Sequence, residues 1–152
     1  MLKLQFAEKA GSSARIEGNA ILLSISANLP KETQTSHISA LLSRCIASKR
    51  LPALKEKMQA LNQQHFNLPL NKIFFKHNKS NWGSCSARGN INISTRLLFA
   101  PEDVLEYVCI HELAHLKEQN HSESFWSLVE NAMPAYKEKV AWLKENGDGC
   151  VF

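Results

Sequence analysis

Two histidines four residues apart flank a glutamate in the run His111-Glu112-Leu113-Ala114-His115, and His121 follows six residues after the second. On a helix, positions i and i+4 share one face a turn apart, so both imidazoles reach a single ion while Glu112 stands beside its open coordination position. In a chain of this composition such a run arises by chance roughly 0.02 times, and a third histidine at one fixed offset lowers that to ~0.0007. Three neutral imidazoles with one position left open are what a catalytic Zn²⁺ takes, so His111, His115 and His121 are the expected ligands of one zinc ion. Should His121 not reach the metal, Glu123 or Glu130 on the following segment would be the substitute. Zinc lowers the proton affinity of a bound water and polarises a carbonyl, and Glu112 is placed to take the water's proton and hand it to the leaving amine. The chemistry expected is hydrolysis of a peptide or amide bond without a covalent nucleophile.

The elements that must hold these residues can be read on either side of them. Pro101 opens a helix with Glu102 and Asp103 behind it, and Val104, Leu105, Val108 and Cys109 form the apolar stripe that leads to His111 and His115. Asn120 tolerates a left-handed turn, and Ser122 can cap a short helix with Phe125, Val129 and Ala132 inward. Met133-Pro134 breaks that helix, and Tyr136 to Asn146 reads as a last one, with Val140 and Leu143 inward and Gly147 after its end. Upstream, Asn71–His77 and Asn90–Thr95 have strand composition, and the Ser-, Asn- and Gly-rich stretch 78–89 reads as a loop across which they pair antiparallel. Arg15–Leu29 reads as a β-hairpin around Gly18-Asn19, closed by Pro30. Thr35 or Ser36 can cap a helix running to about Phe66, which Pro52 should interrupt, giving either two helices or one kinked helix.

At 152 residues the chain is expected to be one domain. Within it, 1–34 is a hairpin region, 35–66 a basic helical region and 70–152 the catalytic core. The order of elements implies an α+β fold in which a small antiparallel sheet packs on helices. No stretch is apolar and long enough to span a bilayer, and the amino terminus has no leader-like apolar run, so the chain reads as cytoplasmic with no membrane partner. Cys45, Cys85, Cys109 and Cys150 form no CxxC pair, which speaks against a structural zinc ribbon and for reduced thiols.

Charge is unevenly placed. From Lys31 to Arg96 eleven bases face two acids, whereas from Leu97 to the end four bases face ten acids. The basic segment 31–96 makes nucleic acid a possible partner, and the alternative function is a nucleic-acid-associated zinc protein, either a binding module or a protease acting on DNA-linked protein. Tyr136, after the Met133-Pro134 break, is a candidate to return toward the metal, although such a tyrosine is more often a packing residue.

Further motifs surround the histidines: Trp82-Gly83-Ser84-Cys85-Ser86, Gly89-Asn90-Ile91-Asn92-Ile93, Tyr107-Val108, Asn120-His121-Ser122, Phe125-Trp126 and Met133-Pro134-Ala135-Tyr136. Together with the HExxH run they resemble the YgjP-like metallopeptidase family, a small zincin group distantly related to the SprT and Spartan proteases. The resemblance is specific from Lys76 to Leu143. It implies a minimal zincin fold with the HExxH helix at the cleft, zinc on His111, His115 and His121, and Glu112 as the catalytic carboxylate. It also implies that the loop Trp82, Gly83, Ser84, Cys85 borders the cleft, in front of a strand to which an extended protein or peptide substrate adds by edge pairing. The histidine spacing is shared with the metzincins, but Glu118 stands where they carry glycine, so Met133 is not assigned as their methionine turn.

Overall fold

A computed structural model describes residues 2–7, 11–78 and 80–146, with the side chains of 2–7 left aside. Its close contacts gather into two compact units, residues 1–49 and 50–152, with the division inside one long helix.

The N-terminal unit is a three-stranded sheet and the first part of that helix. Strands β2 (Ser13–Glu17) and β3 (Ala20–Ser26) form the expected antiparallel hairpin, with Gly18 at φ 57° in its turn. Strand β1 (Leu2–Ala7) lies parallel to β3 on its other side, a pairing the sequence pattern did not suggest. Leu23 and Ile25 of β3 pack on Leu41, with Ile38 and Leu42 alongside.

Helix α1 runs without a break from Lys31 to His65. Of the two outcomes expected at Pro52, the division into two helices does not occur. Proline removes one i→i−4 bond and crowds the carbonyl four residues back, but that carbonyl belongs to Ser48, an exposed residue whose backbone water can serve. The chain leaves α1 at Asn67, whose φ of 53° is the left-handed value; Asn120 takes no such conformation. Asn62 braces this exit, donating to the Leu68 carbonyl at 2.8 Å and accepting from its N–H at 3.1 Å.

In the second unit β4 (Ile73–Lys76), β5 (Gly83–Cys85) and β6 (Ile91–Ser94) form a sheet in the order β4-β6-β5. Here the sequence expectation is corrected on two points. The strands at 71–77 and 90–95 pair parallel, Ile73 with Ile91 and Phe75 with Ile93. The antiparallel partner of β6 is instead β5, which lies inside the stretch read as a loop. The sheet is therefore mixed, with β6 central and buried on both faces.

A 3₁₀ turn (Thr95–Phe99) leads to α2 (Glu102–Ala114), followed by α3 (Glu123–Ala132) and α4 (Tyr136–Asn146). Pro101 precedes α2, and the Ser122 hydroxyl caps α3 by accepting from the Phe125 N–H. Val104, Leu105, Val108 and Cys109 are buried as the stripe predicted, as are Phe125, Val129 and Leu143. Gly147 and Cys150 lie outside the described residues. Helix α2 is enclosed nearly all round, and ion pairs hold its open flank: Lys57 of α1 reaches Glu102 and Glu106 at 3.0 and 3.1 Å, and Lys139 of α4 reaches Asp103 at 2.6 Å. Part of the uneven charge seen in the sequence is thus neutralised within this unit. Among the described residues no helix is long and apolar enough to cross a membrane.

Candidate metal centre

His111 and Glu112 occupy the last turn of α2, and His115 is the residue on which the helix ends. The turn that follows releases the chain, and six residues after His115 the ring of His121 comes back to the other two. All three offer nitrogens within 4.8 Å of one another. His111 Nε2 and His121 Nε2 are 3.1 Å apart, close to the edge of roughly 3.3 Å that two ligands at about 2.0–2.1 Å make on a tetrahedral zinc. The donor set thus fits one such ion.

The second nitrogens of His115 and His111 also have partners. His115 Nδ1 lies 2.9 Å from the Glu118 carbonyl, which can only accept, so this ring carries its proton on Nδ1 and leaves Nε2 with a free lone pair. His111 Nδ1 lies 3.3 Å from the Tyr107 hydroxyl. Phe125 seats the cluster, its ring centroid 4.9, 4.5 and 4.7 Å from those of His111, His115 and His121. Burial pushes His111 down to about 3, helped by the neighbouring His115 and His121, and burial together with His115 lowers His121. Both shifts favour the neutral ring that a metal ligand would have to present.

Glu112 is held at the mouth of this cluster by a wall with no side chain. A Cβ on Gly83 would come within 2.6 Å of Glu112 Oε1 and 2.8 Å of its Cγ, so β5 approaches the carboxylate as only glycine allows. Burial pushes Glu112 up to about 8. Among the described residues its Oε2 is buried without a hydrogen-bond partner, which is costly for a carboxylate of purely structural role. A cleft of about 280 Å³ opens here, lined among others by Gly83, Ser84, Cys85, Glu112 and the three histidines.

Of the residues assigned to the cleft border, Gly83, Ser84 and Cys85 line it, but as edge strand β5 and not as a loop. Trp82 is 3% exposed and sits in the core, its ring covered by the Arg96 guanidinium at 4.0 Å. A large indole is stabilised more by burial than by a place at a wet rim. Tyr136 is not among the residues that line the cleft; its ring stacks on Trp126 and Tyr107. The Cys85 thiol is pushed up to about 11 by burial and by the Glu112 charge, which leaves it protonated and unreactive. Sequence reasoning missed Asn92 and Tyr107. Buried Asn92 donates to Ser84 Oγ and accepts from Asn78, fixing β5 beside the site. Its signal was a polar residue between Ile91 and Ile93 on a strand. Tyr107 was legible as the position one helical turn before His111.

A family model for the YgjP-like metallopeptidase domain matches residues 2–146. The chain belongs to the YgjP-like metallopeptidase family. Two solved structures share the fold. The metallopeptidase zymogen of Pyrococcus abyssi abylysin matches with a TM-score of 0.57 and 26% identity, covering 64% of this chain and 99% of the other. The metallopeptidase zymogen of Methanocaldococcus jannaschii jannalysin matches with a TM-score of 0.53 and 20% identity, covering 61% and 95%. A curated relative, a UTP pyrophosphatase of Escherichia coli (strain K12), is 38% identical over 56 residues, 37% of this YgjP-like chain. That match spans about a third of the relative's length, 34%.

Proposed function

We propose that this YgjP-like protein is a zinc-dependent peptidase in which Glu112 is the general base. The observation that carries the reading is the convergence of His111, His115 and His121 beside a buried carboxylate with an unsatisfied oxygen. When bound, zinc would supply Lewis acidity toward a water and a scissile carbonyl. The chain does the rest. Glu112 takes a proton from the attacking water and returns it to the departing amine, and its raised proton affinity suits both transfers near neutral pH. Among the described residues strand β5 pairs only with β6, so its other edge offers an extended peptide backbone hydrogen bonds along the cleft. Gly83 keeps the carboxylate and the substrate backbone within reach of each other. A cytoplasmic setting is part of the same proposal, in keeping with the free thiols Cys45, Cys85 and Cys109.

A second reading takes a phosphoanhydride as the bond cut, as the relative named UTP pyrophosphatase suggests. No lysine or arginine is among the described residues that line the cleft, which favours the less charged peptide. The N-terminal unit, by contrast, has an open cavity of about 600 Å³ lined by Arg15, Arg44, Lys49 and Ser48 over Ile16 and Leu41. Arg44 and Lys49 of that cavity, and not the whole basic segment 31–96, are where a phosphate-bearing partner such as nucleic acid would bind, since Arg15 lies against Glu17 and Arg50 and Lys57 lie against Glu102.

The test is to incubate zinc-loaded protein and its Glu112→Gln variant with a peptide library read by mass spectrometry and, separately, with UTP read by pyrophosphate release. Peptide cleavage that vanishes in the variant is the expected result. Pyrophosphate release with peptides left intact would replace the first reading by the second. Undiminished turnover in Glu112→Gln would overturn the assigned base in both.

A further inference from the structure

We propose that Tyr107 is a positioning residue for the metal centre: its hydroxyl accepts a hydrogen bond from His111 Nδ1–H and so holds His111 in the tautomer that turns Nε2 toward the ion. The inference rests on the zinc reading given above and concerns a side chain with no part in binding or bond cleavage.

Three observations carry it. Tyr107 is fully buried and sits one turn before His111 on α2, so its hydroxyl falls 3.3 Å from Nδ1. The other ring nitrogen of His111 is the one 3.1 Å from His121 Nε2, at the point where the ligands meet. A neutral imidazole has one N–H and one lone pair. If the lone pair is to be at Nε2, the proton must be at Nδ1, and the phenol oxygen is there to accept it. His115 solves the same problem with the backbone carbonyl of Glu118, and a hydrogen bond to the non-ligating nitrogen is what orients metal-bound histidines generally. A phenylalanine at 107 would fill the same space and leave the Nδ1 proton without that acceptor.

The tyrosine is itself packed against α4 and, through it, linked to α3. Its ring stacks on Tyr136 of α4 at 6.4 Å and 18°, Tyr136 stacks on Trp126 of α3 at 5.5 Å and 20°, and Trp126 stacks on His121 at 5.8 Å and 27°. A run of four rings therefore connects the hydroxyl that orients the first ligand to the third ligand. This gives the conspicuous Tyr136 and Trp126 a role in placing ligands through packing, with no atom at the reacting bond.

The experiment uses the full chain and zinc alone. Long-range ¹H–¹⁵N spectra of the metal-free wild type should show His111 protonated on Nδ1, and in Tyr107→Phe the ring should shift toward the Nε2–H form. Chelator competition should show zinc affinity weaker by about 10–100-fold in Tyr107→Phe, with the thermal midpoint of the metal-free protein little changed. A merely space-filling tyrosine would move neither the tautomer nor the affinity. Wild-type affinity in Tyr107→Phe, or a predominant Nε2–H form in the wild type, overturns the role of Tyr107 while leaving the zinc site standing. Failure of the wild type itself to bind zinc overturns both, and the wild-type tautomer decides the matter should Tyr107→Phe not fold.

Discussion

The N-terminal unit and the histidine-bearing unit bury their apolar surface to different depths. The first closes on Leu23, Ile25 and Leu41 and leaves Arg15, Arg44 and Lys49 around an open cavity. The second encloses α2 in a continuous core that includes Met58, Ile91, Ile93, Ile110, Leu113 and Phe125. Only the second can take His111 and Glu112 out of water, at 1% and 2% exposure, and so shift their proton affinities far from the ordinary values. A hydrolytic site of this type needs a body of packed side chains beneath it. A surface that receives phosphates needs water and mobile bases instead.

That contrast can be broken most sharply at Glu112. Glu112→Gln should lower kcat by roughly 10²–10⁴-fold while zinc content, measured by metal analysis, stays at the wild-type value. Equal loss of zinc would mean that the carboxylate belongs to the metal site and not to the chemistry. Next come the cores. Phe125→Ala should cost about 3–5 kcal/mol in denaturant unfolding and also weaken zinc binding, since its ring touches all three imidazoles. Leu23→Ala should cost about 2–5 kcal/mol with zinc affinity unaltered. A change in affinity there would show that the two units are not independent.

Gly83→Ala tests the wall beside the carboxylate. Its new methyl must displace Glu112, and a misplacement of that order lowers kcat/KM by about 10²-fold, with little change in melting temperature. Smaller still is the effect of Arg44→Glu with Lys49→Glu: under the proposal that this cavity takes nucleic acid, the pair should abolish any salt-sensitive binding of single-stranded DNA read by fluorescence anisotropy. Binding that survives both changes would remove the cavity as the phosphate site. The least effect is expected from the ion pair between α2 and α4. A hydrogen bond from Lys139, with its charge, holds Asp103 below the usual carboxylate range against a small opposing effect of burial. A depressed folded value means the stabilisation is present above the unfolded pKa of about 3.9 and is lost as pH falls through the folded one. Asp103→Asn should therefore flatten the acid limb of the melting curve and leave its neutral part nearly unchanged.

The sequence disclosed what local periodicity and turn chemistry control. The HExxH face, the Ser122 cap, the Met133-Pro134 break and the Gly18 turn all follow from neighbours a few residues away, and all are present. It was silent where distant segments choose each other. Nothing local in Asn71–His77 or Asn90–Thr95 separates a parallel from an antiparallel pairing, because alternation marks a strand's faces and not its partner. The three residues of β5 are too short and too polar to register as a strand. Pro52 was overestimated because the cost of a missing hydrogen bond depends on whether the abandoned carbonyl meets water. Tyr107 was visible in the helical spacing, but its meaning required the position of a hydroxyl relative to a ring nitrogen.

The histidines proposed as ligands gather at and beyond the C-terminal end of α2, where His115 is the residue on which the helix stops. Aligned peptide dipoles make that end the negative pole of the helix, equivalent to about half an elementary charge. A divalent cation bound there sits at the attractive pole, and its charge in turn tightens the final turn against fraying. Chelation should therefore be felt first by the amides of Leu116, Lys117 and Glu118, which bond back to Leu113 and Ala114, as faster hydrogen exchange confined to the helix end.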